Sequence, residues 1–407
     1  MKYMQLYVHI PFCVKKCSYC DFLSFSCDER TQIEYADALI REIQFYGPQC
    51  REYVVNTIYI GGGTPSWLNE DKMVEIMNTI YENFQVLEDA EISMECNPGT
   101  VTASKLRKYR MAGINRLSIG LQSADNEELK ILGRIHTFEQ FVKTYELAKE
   151  AGFANINVDL ISGIPYQTTE KFLKTLQKVV WLKPNHISAY SLIIEKGTPF
   201  YETYKFDAVR QEAGMPTEVL PNEDEVYRIY KLTQDYLARA GYQQYEISNF
   251  AQPGFECEHN IGYWTRRNYL GLGLGAASLI ENVRYTNTTD LYEYIDGSKN
   301  ISAKMFEQEE NCGATQARGT NLNVYAGIVS RKAQMEEFMF LGLRMNEGVT
   351  RDRFLREFGI PIDGIYRDVL ERMKEEDLLS VENGQIRLTD RGMDLGNYVM
   401  SQFLIEE

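Results

Sequence analysis

Apolar residues in the first half of the chain come in short β-rich runs separated by amphipathic stretches. The runs are "QLYVHI" from Gln5, "NTIYI" from Asn56, "EISMEC" from Glu91, "NRLSIGL" from Asn115, "NINVDLI" from Asn155 and "HISAYSLII" from His186. Between them, stretches such as "TQIEYADALIREIQFY" and "TEKFLKTLQKVVWL" carry apolar residues at helical spacing. Strands alternating with helices predict βαβ units and a parallel sheet, hence an α/β fold. Six units are too few to close an eight-unit barrel, so an open, partial (βα)6 barrel is expected. Side chains that do chemistry should then gather at the C-terminal ends of the strands.

The pattern changes in the second half. Residues 200–222 read as loop, and "NEDEVYRIYKLTQDYLARAGY" as one more helix. The polar segment 308–331 reads as a linker or an insertion. Three helical stretches then start near Lys332, Thr350 and Gly364, followed by "LLSVENGQIRLT", whose Asn383-Gly384 suits a tight hairpin turn. Helices followed by a hairpin predict a winged-helix-like module. The expected organisation is a core domain over 1–250, a connecting segment over 251–331 and a C-terminal domain over 332–407.

Composition narrows the function classes. The formal net charge is −15 over 407 residues, with no Lys/Arg-rich run, so a long contact with nucleic acid is not expected. The C-terminal module carries ten basic and sixteen acidic residues, net −6, which favours a structural or docking role over DNA binding. No apolar stretch approaches membrane-spanning length, and "MKYMQLYVHIPFC" is too short and polar for a signal peptide. A cytoplasmic protein with at most peripheral membrane contact is expected. In a reducing compartment, eight cysteines point to metal rather than to a disulfide framework.

Three of those cysteines, Cys13, Cys17 and Cys20, fall within "CVKKCSYC", directly after the first strand. Clustered thiolates select zinc, copper(I) or iron–sulfur clusters. Zinc would need a fourth ligand, and Cys27 supplies one only if the loop folds back. A 4Fe–4S cubane held by three cysteines leaves one iron open to a small molecule with an amine and a carboxylate. Three unrelated buried thiols are the remaining reading. Cys50, Cys96 and Cys312 carry no local signature. Cys96 reads as a buried strand residue, and Cys27 also reads as a surface thiol.

"CVKKCSYC" resembles the CxxxCxxC signature of the radical S-adenosylmethionine (radical SAM) family. The flanking "LYVHIPFC", "IGGGTPSWL", "ECNPGT", "NRLSIGLQS", "ILGRIHT", "NVDLISGIP" and "YEISNFA" resemble one branch of it. That branch contains the oxygen-independent coproporphyrinogen oxidase HemN and the heme chaperone HemW. The resemblance implies SAM on the open iron and contacts to SAM from Gly62, Gly63, Thr64, Glu95, Gln122, Arg134 and Asp159. It also implies cofactor contacts from Tyr7 and Tyr19. The residues agree: glycines allow a backbone to approach a ligand, a guanidinium suits a carboxylate, and Asp159 in an apolar strand needs a partner.

Three features separate the chain from the oxidase side of the branch. Phe22 stands where the oxidase has a fourth cysteine. The first cysteine is residue 13, which leaves no room for the oxidase's N-terminal extension. "HNIGYW", His259 to Trp264, matches the HNxxYW motif of the chaperone side. The resemblance thus implies a heme chaperone that delivers heme to an apoprotein such as a respiratory enzyme, with a flavodoxin or ferredoxin as electron donor. The alternative is a radical SAM oxidase or methyltransferase acting on a tetrapyrrole. For heme, His259 offers an imidazole, Tyr263 and Trp264 offer flat aromatic surface, and Asn260 completes the motif. Cys257 is a second candidate ligand as a thiolate. His9, His136 and His186 are weaker candidates, and His9 is expected to hydrogen-bond beside the cluster. The strand-like "YQQYEISNF" just before the motif leads to the expectation that "HNIGYW" lies near the barrel mouth.

Overall fold

The apolar runs form strands that pair in parallel and in sequence order. They are β1 (Lys2–Ile10), β2 (Tyr53–Gly62), β3 (Gln85–Cys96), β4 (Arg116–Gln122), β5 (Asn155–Ser162) and β6 (His186–Ser191). This computed structural model describes residues 1–310 and 313–405, and Cys312 lies outside them. The connecting helices are α1 (Glu29–Tyr46), α2 (Glu70–Asn83), α3 (Ala103–Met111), α4 (Asn126–Ile131), α5 (Phe138–Glu150) and α6 (Thr169–Leu182). Side chains such as Leu39, Ile43, Met73, Ile76 and Phe172 cover the sheet's outer face and are fully buried. Each such burial contributes about 1.5–3 kcal/mol. The result is the partial (βα)6 barrel that the periodicity predicts.

The inner face is different. Tyr59, Glu95, Ser118, Asp159 and Ser188 alternate with apolar residues that face the helices. Period-two polar positions inside strands buried on both faces identify the lumen of the barrel.

Two regions depart from the sequence expectation. Residues 199–212 form a helix, α7 (Pro199–Glu212), where the pattern suggests loop. Thr198 caps it by accepting from the Tyr201 amide, and Pro199 sits at its first turn. Its apolar stripe is sparse, because it buries only Phe200 and Asp207. The Asp207 carboxylate then accepts from the amides of Glu218, Val219 and Leu220, which fixes the following loop before α8 (Glu223–Arg239).

The segment after the barrel extends the sheet on both edges. β7 (Gln243–Gln244) and β8 (Asn249–Ala251) pair beyond β6, with β8 antiparallel to it. After α9 (Glu258–Trp264), β9 (Tyr269–Leu272) pairs in parallel with β1. β10 (Ala277–Ile280) and β11 (Val283–Asn287) continue that edge, and α10 (Leu291–Gly297) leads to a hairpin of β12 (Ala303–Glu310) and β13 (Gly313–Thr320). β14 (Asn323–Ile328) pairs with β11. The described residues of the polar segment 308–331 are therefore mostly paired strand rather than a free linker.

The C-terminal module has its own apolar core around Phe338, Phe354, Tyr366 and Phe403. It comprises α11 (Arg331–Gly342), β15 (Val349–Thr350), α12 (Arg351–Phe358), α13 (Asp363–Glu375), β16 (Leu379–Glu382), β17 (Gln385–Leu388), α14 (Asp390–Asp394) and α15 (Gly396–Ser401). The β16–β17 turn uses left-handed Asn383 and Gly384, as a two-residue hairpin requires. Arg266 joins it to the barrel: its guanidinium is 3% exposed and reaches Glu337 at 3.0 Å and Glu357 at 3.2 Å. Arg284 also reaches Glu337, at 2.9 Å. No helix among the described residues is long and apolar enough to cross a membrane.

Candidate functional site

A cavity of about 500 Å³ opens at the C-terminal ends of β1–β6. Cys13, Cys17, Cys20 and Tyr19 line one side of it, and Gly62, Gly63, Thr64, Glu95, Gln122, Arg134 and Asp159 line the rest. Eleven of the sequence-derived candidates thus converge on one place.

Local chemistry explains the convergence. The loop after β1 is pinned where Ser18 donates its amide to Leu132 and accepts from the Phe200 amide. The turn after β2 docks on the same loop: the Gly63 amide donates to Ile10 and the Thr64 amide to Phe12. Glycine is required there. Gly62 has φ +116°, and a Cβ on it would come 2.5 Å from the His9 ring. A Cβ on Gly63 would come 2.8 Å from the Phe12 carbonyl oxygen. Gln122 ends β4 with φ 72°, at a register shift that turns the strand's last side chain into the cavity.

The thiols sit among donors. Thr64 Oγ1 donates to Cys13 Sγ at 3.5 Å, and Arg134 Nη1 to Cys17 Sγ at 3.5 Å. Such donors suit anionic sulfur. Among the described residues, no three His, Cys, Asp or Glu side chains converge tightly enough to enclose a single metal ion. The three half-buried thiols line one cavity, as the ligands of one shared cluster would have to. Cys27 does not line the cavity, so it closes no four-thiol zinc site with them.

The cavity also has an electrostatic imbalance. Asp159 accepts from Ser118 Oγ at 2.7 Å and from Asn157 Nδ2 at 2.8 Å. Glu95 accepts from the Gly62 amide at 3.0 Å and from Tyr59 OH at 3.2 Å. Among the described residues, neither carboxylate has a cation within ion-pair distance. Burial, and then the Asp159 charge, push the Glu95 carboxyl up to about 7, and burial also raises Asp159. A cationic ligand relieves this directly. Across the cavity, Arg134 Nη2 donates to Asn97 Oδ1 and Gly120 O, while its buried Nε has no acceptor. An unspent guanidinium N–H opposite two strained carboxyls fits a ligand carrying both a cation and a carboxylate, as SAM does.

This yields a pH expectation. A bound cation favours ionised Glu95, so cation affinity should rise with pH up to about 7 and level off above it. Below that value it should fall by up to about tenfold per unit. For folding the sign is the reverse. The raised carboxyl holds its proton more tightly when folded, so its contribution to stability declines as pH rises from 4.5 to about 7. Isothermal titration with SAM at several pH values checks the first point.

Tyr7 does not line the cavity. Its hydroxyl is 2.9 Å from His9 Nδ1, and His9 Nε2 is 2.9 Å from the Leu23 carbonyl oxygen. The pair therefore braces the loop that carries the cysteines.

"HNIGYW" lies away from the mouth. It forms α9, which closes the floor of the barrel beneath the lumen. The reason is topological: β8 runs antiparallel to β6, so the chain leaves it at the N-terminal end of the parallel strands. The carboxylate of Glu91, low on β3, caps α9 by accepting from the amides of Glu258 and His259. His259 is 1% exposed. Its Nδ1 is 2.8 Å from Thr57 Oγ1 and its Nε2 is 3.0 Å from Tyr263 OH. Both ring nitrogens are engaged, and burial pushes the imidazole down to about 3. The side chain is held neutral inside the protein, with no free nitrogen for an iron. Cys257 is fully buried, donates to Glu91 Oε1 at 3.5 Å and is pushed up to about 12 by burial, so it stays a thiol. The ring of His259 lies 5.3 Å from that of Tyr59, which in turn holds Glu95. The motif thus supports the cavity from below. Asn260 neighbours this cap, and Trp264 ends the helix against the C-terminal module.

Gly262 is what lets α9 approach. A Cβ there would come 2.0 Å from Gln5 Oε1, and Gln5 donates to Thr57 and to the carbonyls of Glu258 and His259. Gly262→Ala should cost roughly 2–3 kcal/mol from overpacking and lost bonds, against about 1 kcal/mol of helix propensity gained. Chemical denaturation measures the difference.

The sequence did not single out Tyr59, Arg116 and Asn157, and His186, a weaker candidate ligand there, is instead a buried partner of Asn157 and Tyr245. Their signal is the same period-two placement in apolar strands. Arg116 is 2% exposed and donates to Ser93 Oγ at 3.3 Å. His186 bonds Asn157 Oδ1 at 2.6 Å and Tyr245 OH at 2.8 Å.

Comparison with known proteins agrees with this geometry. Residues 7–179 match the radical SAM superfamily and residues 329–395 the HemN C-terminal domain. Over 401 residues the chain is 34% identical to the heme chaperone HemW of Lactococcus lactis, covering 98% of this chain and 97% of that protein. This chain belongs to the HemW family of radical SAM proteins. It is also 34% identical over 401 residues to HemW of Bacillus subtilis, covering 98% and 99% of the two chains. The HemW fold here is similar to that of the Escherichia coli coproporphyrinogen III oxidase HemN. The TM-score is 0.80 at 25% identity, over 99% of this chain and 90% of that one. Membership in the radical SAM superfamily implies SAM and a 4Fe–4S cluster.

Proposed function

We propose that the protein is a heme chaperone: it binds heme, carries a SAM-ligated 4Fe–4S cluster, and passes heme to an acceptor apoprotein such as a respiratory heme protein. The observation that carries this reading is the chain-long similarity to heme chaperones, which spans both the barrel and the C-terminal module. Cys13, Cys17 and Cys20 hold the cluster, and Gly62, Gly63, Thr64, Glu95, Gln122, Arg134 and Asp159 bind and orient SAM. When bound and reduced by a flavodoxin or ferredoxin, the cluster supplies an electron for cleaving SAM. The protein's own part is electrostatic. Glu95 and Asp159 present negative charge to a cation, Arg134 presents N–H groups to a carboxylate, and the apolar shell around the lumen limits water.

Phe22 supports transfer over oxidation. Phe22 is 67% exposed at the cavity rim, and the resemblance places it where the oxidase has a cysteine. Transfer is tested by loading the reconstituted protein with hemin and mixing it with an apo-hemoprotein. Movement of heme to the acceptor, faster than from free hemin, is expected. No movement, with heme retained by the donor, removes the chaperone reading.

A further inference from the structure

The end of α9 meets the C-terminal module at an open groove of about 330 Å³. Trp264, Phe340, Leu341, Arg344, Met400 and Leu404 bound it. The Arg344 guanidinium carbon is 4.3 Å from the centre of the Trp264 ring. Arg266 and Arg284 nearby are paired with Glu337 and Glu357, but among the described residues no carboxylate lies within ion-pair distance of Arg344. Glu246 acts on it only from farther away.

Two donors at this groove are unspent. Trp264 Nε1 and Arg344 Nε are both buried without an acceptor among the described residues. Buried donors are nearly always paired in folded proteins, so two of them beside one groove point to a ligand that accepts. Phe340, Leu341, Met400 and Leu404 make most of the remaining lining apolar, with Asn397 and Ser401 beside them, and Leu404 is 56% exposed. An unpaired cation, an indole and exposed aliphatic surface together suit an apolar, planar molecule bearing a carboxylate. Met400 adds a thioether, a donor that ligates heme iron.

We infer that this groove seats heme, with a propionate on Arg344 and Trp264 and one edge of the macrocycle against Phe340, Leu341 and Leu404. The inference rests on the heme reading above and gives it a location: beside the last residue of "HNIGYW", not on His259. A groove open along one side grips part of the macrocycle and leaves the rest accessible, which suits a carrier that must release its cargo.

The test titrates the full-length protein with hemin and follows the Soret band in the wild type, Arg344→Gln, Leu404→Glu and a control, Arg367→Gln, on an exposed face of the same module. Circular dichroism and cluster iron content report folding, and Leu404, being exposed, keeps the test intact if Arg344→Gln fails to fold. Both groove variants should bind hemin about tenfold more weakly or worse, with the control unchanged. If the wild type binds hemin and both groove variants match it, the groove assignment is overturned while the heme reading stands. If the wild type binds no hemin, both fall.

Discussion

Cys17→Ala protein is expected to emerge from anaerobic reconstitution colourless and without stoichiometric iron or sulfide. A cubane with three protein ligands already has one iron without a side chain, and losing one of the three thiolates leaves two of four irons unheld. Cys17 also carries the contact from Arg134 Nη1, so its removal frees the guanidinium that lines the proposed SAM site. The scaffold should survive. Cys17 is only half-buried in a loop that is pinned independently through Ser18. Far-UV circular dichroism and thermal midpoint should therefore match the wild type while iron content collapses. Cys27→Ala, which removes a thiol away from the cavity, should retain full iron. A Cys17→Ala protein with wild-type iron and sulfide would remove the cluster assignment.

Asp159→Asn should lower SAM affinity by roughly ten- to a hundredfold, about 1.4–2.8 kcal/mol, with the cluster intact. The shape of the side chain is retained, but the charge is lost. An amide also brings its own N–H group toward Ser118 and Asn157, which both donate to Asp159. One of those bonds must break or turn around. Removing one of two neighbouring buried carboxylates also relieves Glu95, whose carboxyl should titrate lower in the variant. The pH at which SAM affinity levels off should move down with it. Unchanged SAM affinity in this variant would show that Asp159 does not face the ligand.

Much of the barrel is legible in the sequence because its strands are short apolar runs ended by residues with special backbones. "IGGGTP" is an example: Gly62 needs positive φ and both glycines need to lack a Cβ. The cysteine spacing is legible because three soft ligands in eight residues serve few purposes. The rest depends on contacts distant in sequence. Nothing local in "YQQYEISNF" states that Asn249–Ala251 pairs antiparallel with β6, and that one pairing moves "HNIGYW" from the mouth to the floor. His259 reads as a free imidazole until Thr57 and Tyr263 are seen on its two nitrogens. Helix α7 hides because only two of its residues are buried. Short strands such as "YLGL" in β9 find their place only through β1, over 250 residues away.

On the proposed function, this radical SAM protein carries a tetrapyrrole without oxidising it. The most direct measurement incubates the anaerobically reconstituted protein with SAM, a low-potential reductant, hemin and coproporphyrinogen III, then follows hemin by its Soret band and the porphyrinogens by chromatography. Hemin bound at one per chain with coproporphyrinogen III unchanged is the expected result. Protoporphyrinogen formed with release of carbon dioxide would contradict it.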